Sequence, residues 1–348
     1  MKNKRSAKLW VSLCVTVALA LILPAAAGCA PPDDEEGPLT IGIFQIISHP
    51  ALDSAREGFK DQFKARLADE GLTEADVVFT ERNAAGSLDL SYTIADYFVS
   101  EGVDLICAIA TPCVIAAATA VEGTEIPVVF NSVTNPVDAG VVDDWDAPGG
   151  QVTGVSDIAP VEPQIQLILD IFDANNLTLS KLGVMYNAGE PNSVYQVDVQ
   201  LVEALDNLGL NITVEKATVS TGADIPAASQ TLVAAGVDAI WVPTDNTVVA
   251  GIEGVIGPCE DNDIPLFAAD TSTVERGVIG CWGMDYYTVG NYSGDMAADI
   301  LLDEADPATM PIRTVPAEYL YIYPQAAERM GVTVPQSLID MAYLVVED

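Results

Sequence analysis

Val103-Asp104-Leu105-Ile106-Cys107-Ala108-Ile109-Ala110-Thr111-Pro112 is a short apolar run, rich in β-formers, that ends in a hydroxyl followed by proline. Such an ending starts a helix, because proline in the first turn gives up an amide that has no partner there anyway. The same arrangement returns as Val237-Asp238-Ala239-Ile240-Trp241-Val242-Pro243-Thr244-Asp245-Asn246, at an offset of 134. Upstream, Thr40-Ile41-Gly42-Ile43-Phe44-Gln45-Ile46-Ile47-Ser48-His49-Pro50 matches Lys181-Leu182-Gly183-Val184-Met185-Tyr186-Asn187-Ala188-Gly189-Glu190-Pro191 at an offset of 141. Downstream, Glu125-Ile126-Pro127-Val128-Val129-Phe130 matches Asp263-Ile264-Pro265-Leu266-Phe267-Ala268 at 138. Three pairs in one order at near-constant offset describe two lobes of one architecture.

The runs are uninterrupted rather than alternating, as strands buried on both faces are. Amphipathic stretches separate them, at 52–70, 88–101 and 112–121 in the first half. The second half has them at 161–172, 192–208, 224–235 and 246–260. Strand and helix in alternation predict an α/β fold of two doubly wound parallel-sheet lobes. Ligands of such sheets bind beyond the carboxyl ends of the strands, which in two lobes can face each other across a cleft.

The loops leaving the strands are therefore where chemistry can sit. They hold Ser48-His49-Pro50, Asn83 to Gly86, Thr111-Pro112 and Asn131-Ser132-Val133-Thr134 in the first half, with Gln45 closing its first strand. In the second half they hold Asn187 to Ser193, Thr244-Asp245-Asn246-Thr247 and Asp270-Thr271-Ser272. Hydroxyls, amides and carboxylates dominate, and Lys and Arg are scarce. Thr111, Asn192 and Ser193 sit at helix starts, where free amides and the helix dipole can hold a carboxylate. Glu190, Asp245 and Asp270 can neutralise an ammonium, and Asp245 is the first choice. The inventory suits a zwitterion better than a phosphate or a neutral sugar. Each residue also has a plain structural reading: Thr111, Asn192, Ser193 and Asp245 as helix caps, Asp270 as a cap or Asx-turn, His49 as a helix start. Gln45, His49, Thr111, Ser132, Thr134, Glu190, Asn192, Ser193, Asp245 and Asp270 are the candidate ligand contacts.

Composition narrows the function classes. The chain has 348 residues, 14 basic and 51 acidic side chains, a net charge of −37 and a single histidine, His49. Half the residues are hydrophobic, enough for a sizeable core. The charge repels phosphate backbones, so nucleic acid is not an expected partner. One histidine excludes zinc sites that need two or three, and no metal or cofactor is expected. An enzyme would have His49 as its only imidazole base, and no GxSxG elbow is present.

The N-terminus is an address. Lys2, Lys4, Arg5 and Lys8 precede a charge-free run from Leu9 to Leu23, then small residues and Cys29. This is the anatomy of a secretory signal rather than a membrane span. Ala27-Gly28 before Cys29 resembles a lipobox, which predicts a signal peptide over 1–28, lipidation of Cys29 and a flexible tether over 29–38. Losing those four basic residues takes the net charge from −37 to −41. The expected location is extracytoplasmic, with the membrane reached through the lipid anchor only.

Ile41 to Phe44 with His49 to Asp53, Ala110-Thr111-Pro112, Val133 to Pro136, Thr153-Gly154-Val155-Ser156, Tyr186-Asn187 with Glu190 to Ser193, Pro243 to Thr247, and Asp285-Tyr286-Tyr287 with Gly290 together resemble one family. It is the ABC-transporter substrate-binding family associated with tryptophan and other aromatic amino acids, and the likeness runs from about Leu39 to the C-terminus. The resemblance implies a type I periplasmic-binding-protein fold with a hinge, no catalysis, and delivery of ligand to a permease driven by an ATPase. It implies crossings near 154–160, 283–287 and 316, hence lobes of 39–156 with 287–315 and 157–286 with 316–348. It implies a monomer that closes on an aromatic or large apolar amino acid. A ligand-binding subunit of an extracytoplasmic sensor has the same fold and is the alternative of a different class.

Of six cysteines, Cys14 leaves with the signal and Cys29 takes the lipid. Cys107 and Cys113 read as buried thiols. Cys259 and Cys281, both in the second lobe of a disulfide-permissive compartment, are the candidate disulfide.

Overall fold

The computed structural model describes residues 37–348, of which Leu39–Asp348 form one compact unit. The signal peptide, Cys29 and the tether up to residue 36 lie outside the described residues. No described helix is long and apolar enough to cross a membrane.

Each quoted run is a strand. In the first half these are β1 (Leu39–Gln45), β2 (Val77–Asn83), β3 (Leu105–Ile109), β4 (Val128–Asn131) and β5 (Val152–Ser156). With β11 (Arg313–Thr314) they form a parallel sheet in the order β11-β5-β4-β3-β1-β2. The second half repeats the pattern with β6 (Lys181–Asn187), β7 (Thr213–Val219), β8 (Ala239–Val242) and β9 (Leu266–Ala268), parallel in the order β7-β6-β8-β9. Thus β6 is flanked by β7 and β8 as β1 is by β2 and β3. Central strands are buried on both faces, β3 and β8 along their whole length. The edge strands β2 and β7 are half exposed, which is why their sequences mix charge with apolar residues. A third sheet joins β10 (Gly280–Gly283), β12 (Tyr319–Ile322) and β13 (Leu344–Val345).

Helices follow the strands: α1 (Pro50–Asp69), α2 (Leu88–Glu101), α3 (Thr111–Ala120) and α4 (Val161–Ala174). The stretch 192–208 is not one regular helix. It runs as α5 (Pro191–Tyr195), a π turn (Gln196–Gln200) in which the Leu201 amide donates to the carbonyl five residues back, and α6 (Leu201–Asn207). After α7 (Ile225–Ala235), the stretch 246–260 is likewise divided, into α8 (Asn246–Ala250) and α9 (Glu253–Asp261). Gly251 marks the break, its Cα so close that an added Cβ would lie 2.6 Å from Ile225 Cδ1.

Two large apolar cores lie on the two main sheets. Phe44, Phe59, Phe98 and Phe130 centre the first, and Met296 of α10 (Tyr286–Asp303) belongs to it. Trp241, Phe267 and Ile165 centre the second, which also takes in Leu320 of β12 and Leu338 of α12 (Gln336–Met341), after α11 (Pro324–Arg329). Helix α10 packs on α1 with backbones nearly touching: a Cβ at Gly290 would lie 2.1 Å from the Ala55 carbonyl oxygen.

One expectation is corrected. Cys259 and Cys281 are not bonded; with Cys107 and Cys113 they are free, buried thiols. Cys259 faces the second core, whereas Cys281 belongs to a separate small cluster with Val274, Tyr323 and Ala326. Burial pushes the thiol of Cys259 up to about 12 and that of Cys281 well above its ordinary value.

Candidate functional site

The strand exits of the first sheet carry backbone strain. Ala110 ends β3 with φ +79° and Ser132 follows β4 with φ +57°, conformations that cost a non-glycine residue of order 1–3 kcal/mol. They turn Thr111 and Ser132 sharply out of the sheet. Helix α3 then starts without a side-chain cap, and the buried Thr111 hydroxyl has no hydrogen-bond partner. The Ser132 hydroxyl donates to Asn131 Oδ1 at 2.7 Å. Thr134 donates to Asp157 Oδ1 at 3.2 Å, and the Tyr286 hydroxyl, which starts α10, donates to Asp157 Oδ2 at 3.2 Å. His49 caps α1 through its backbone alone.

In the second half one carboxylate organises two loops. Glu190 accepts from the Asn246 amide at 3.0 Å and side chain at 2.6 Å, from the Thr247 amide at 3.0 Å and hydroxyl at 2.7 Å, and from Asn192 Nδ2 at 3.3 Å. Asn192 Nδ2 also donates to the Thr244 carbonyl at 2.6 Å, and Gln196 in the π turn accepts the Thr244 amide at 2.6 Å. These bonds leave Asn192 Oδ1 and the Thr244 hydroxyl buried and unpaired.

The two halves meet here. His49 Nε2 lies 3.4 Å from Asn246 Oδ1, and its unpaired Nδ1 lies 3.8 Å from Asp270 Oδ2. The helix starts at Thr111 and Asn192 come together with Asn135 and Tyr195 against them, closely enough to leave no room for a water molecule. Charge in this region is all of one sign. Burial, reinforced by the charge of Asp270, lifts Asp157 to about 6 against the pull of Thr134 and Tyr286. The Tyr286 hydroxyl is raised by burial and by the Asp157 and Asp270 charges. Asp157 and Asp270 are 2% and 1% exposed, and neither is paired with a Lys or Arg; the His49 imidazole is the basic group facing Asp270. Both carboxylates are dry, Asp157 bonded by Thr134 and Tyr286 and Asp270 by Ser272 through one oxygen.

The expected residues divide. Thr111 and Asn192 meet where the two helix starts approach, His49 lies against Asn246 and Asp270, and Thr134 is bonded to Asp157. The Ser132 hydroxyl is already bonded to Asn131. Gln45 turns away: it donates to the Ile47 carbonyl and Asp53 and accepts from Arg56 at 2.9 Å, fixing the start of α1. Ser193 donates into its own loop, to the carbonyls of Asn187 and Glu190. Asp245 as ammonium partner is corrected. Its Oδ1 accepts the Val248 amide at 2.8 Å, capping α8, and its Oδ2 accepts the Asn187 amide at 2.6 Å, so both oxygens serve the backbone. Burial first and Glu190 second lift its carboxyl to about 8. Glu190, with five donors of its own lobe, frames the loops. Tyr287 lies at the surface, bonded to Asp61. Asp157 is the residue that sequence reading passed over, although it is the first carboxylate after the buried strand β5, the position at which Asp270 follows β9.

Residues 40–346 match the profile of the ABC transporter substrate binding protein family. A "Tyrosine-binding protein" of Clostridioides difficile is 35% identical over 269 residues, 77% of this chain and 74% of that one. A solved ABC domain from Streptococcus pneumoniae in complex with L-Trp superposes with a TM-score of 0.80 at 31% identity, covering 89% of this chain and all of that one. A ligand-free, open substrate-binding protein with adhesive properties from Clostridium difficile gives 0.63 at 30% identity, again covering 89% of this chain and all of that one. At nearly equal identity the better fit is to the liganded protein, in keeping with the contacts His49 makes across the cleft. The chain belongs to the ABC transporter substrate-binding family: it is an extracytoplasmic solute-binding protein and not an enzyme.

Proposed function

We propose that this chain is the lipid-anchored receptor of an ABC importer and that it captures an aromatic amino acid, of the tyrosine or tryptophan class, between its two sheets. One observation carries the reading. Buried polar atoms at the strand exits of both halves, His49 Nδ1, Thr111 Oγ1, Asn192 Oδ1, Gln196 Nε2 and Thr244 Oγ1, lack partners, and two buried carboxylates, Asp157 and Asp270, have no Lys or Arg beside them. Leaving such an atom unpaired costs roughly 1–3 kcal/mol, so the closed arrangement is completed by a polar guest. In this reading Asp157 and Asp270 take the ammonium. The threonine hydroxyls and the positive end of α3 take the carboxylate. The tyrosine-binding relative and the L-Trp complex support an aromatic side chain. Lobes of 39–156 with 287–315 and 157–286 with 316–348 close about the hinge and present one surface to the permease. Cys29 carries the lipid.

Thermal-shift titration of the full chain tests the assignment. L-Trp, L-Tyr or L-Phe at a hundredfold excess over its Kd adds roughly 2.7 kcal/mol of stability. A shift by sugars or polyamines, with none from aromatic amino acids or leucine, refutes it.

A further inference from the structure

We infer that the cleft recognises the ammonium of its ligand far more than the carboxylate, so that aromatic monoamines, which have no carboxylate, bind the same site; this rests on the aromatic amino-acid reading above. The charge inventory is the first reason. Ten of the chain's Lys and Arg lie within the described residues, and each is engaged away from the cleft. Arg56, which starts nearest to a strand exit, is held by Glu57 at 3.0 Å and Glu81 at 3.2 Å. Arg276, just beyond Asp270, is held by Glu253 and by the carbonyls of Val249 and Ala250. No guanidinium or ammonium of the described chain is left to pair with a bound carboxylate.

The polarity of the unpaired atoms is the second reason. Glu190 fixes the amide nitrogen of Asn246, so the Asn246 oxygen that faces His49 is an acceptor and His49 Nε2 carries the proton. Asn192 Oδ1 and Asp270 Oδ2 are acceptors that no donor meets within hydrogen-bond distance, with His49 Nδ1 3.8 Å from the latter. The hydroxyls of Thr111 and Thr244 and the Gln196 amide nitrogen are the unpaired groups that can donate, all of them neutral. An alkylammonium brings three donors and one positive charge into this acceptor-rich space. A carboxylate brings acceptors and a further negative charge, and meets only neutral donors, so it contributes less than the ammonium.

Isothermal titration of the full chain at neutral pH decides the matter, with tyramine and tryptamine set against L-Tyr, L-Trp and the matching 3-arylpropionic acids, which lack the amine. The amines are expected to bind within about tenfold of the amino acids and in competition with them, and the acids more than about a hundredfold weaker, a gap of roughly 2.8 kcal/mol. Asp157→Asn is expected to weaken amine and amino acid by the same factor. Amino acids that bind while amines are more than about a hundredfold weaker, or bind without competition, overturn this inference alone. Failure of both amines and amino acids overturns the aromatic amino-acid reading as well.

Discussion

Replacing Asp157 by Asn separates a ligand partner from a structural strut, because the two roles have opposite consequences for stability. The carboxyl stands at about 6 in the folded chain against an ordinary 3.8, chiefly through burial. One pKa unit is about 1.36 kcal/mol, so the ionised form opposes folding by about 3 kcal/mol once pH is well above 6. The folded value lies above the unfolded one. Stability from the protonated carboxyl is therefore fully present below about pH 3.8 and lost as pH rises through about 6. Asp157→Asn removes the charge and keeps the shape, so the ligand-free variant is expected to exceed wild type by up to about 3 kcal/mol near pH 7.5. The gain shrinks toward zero near pH 4. Binding moves the other way: losing one partner of a buried charge pair costs roughly 3–5 kcal/mol, about two to three orders of magnitude in Kd. Urea unfolding at both pH values with calorimetric titration measures both. Equal destabilisation at the two pH values with unchanged affinity would refute the assignment and leave Asp157 a hydrogen-bonding strut.

Four further outcomes are expected. Asp245→Ala removes a cap and leaves the Asn187 amide unpaired, so it is expected to lower stability by roughly 1–3 kcal/mol while changing ligand affinity by less than about tenfold; denaturation and titration of the same preparation check this. Gly290→Ala forces a methyl against the Ala55 carbonyl, where only backbone could yield, and is expected to cost roughly 1–3 kcal/mol or more in chemical unfolding. Reductant is expected to leave the melting temperature unchanged, because Cys259 and Cys281 are free thiols; a drop in melting temperature on reduction would show a bond between them. Cys29→Ala is expected to move the protein from the membrane fraction to the soluble one; a variant that still sediments with membranes speaks against the lipid anchor.

The sheets were legible because burial on both faces leaves no alternation: Leu105 to Ile109 and Ala239 to Val242 read as continuous apolar runs. The repeat then supplied the topology. What sequence could not supply was the direction of polar side chains at the strand exits. Asp245 and Asp270 are both carboxylates opening a helical turn after a buried strand. Asp245 turns its second oxygen to the Asn187 amide, 58 residues away, whereas Asp270 gives one oxygen to Ser272 and points the other at His49. Only the tertiary arrangement separates them. The cysteines failed for a similar reason, since proximity within one lobe does not reveal that Cys259 and Cys281 face different apolar clusters.

The distribution of charge also says how binding and closure are coupled. In the proposed closed form Asp157 and Asp270 are dry, and His49, Thr111, Asn192 and Thr244 keep buried polar atoms without partners. The open form leaves those groups hydrated, so closure without ligand is opposed by like-charge repulsion and by unmet hydrogen bonds. A ligand shifts such an equilibrium only by its differential affinity for the two forms, and reversing it from 1:99 to 99:1 takes about 5.5 kcal/mol. An ammonium set between two carboxylates is worth energy of that order only when both are contributed to one closed site. Asp157 follows a strand of the first sheet and Asp270 a strand of the second. Asp157 opens the crossing between the lobes, its carboxylate bonded to Thr134 of the first lobe and Tyr286 at the end of the second, and Asp270 lies in the second; in this reading, ligand capture beside that crossing is the act that closes the cleft.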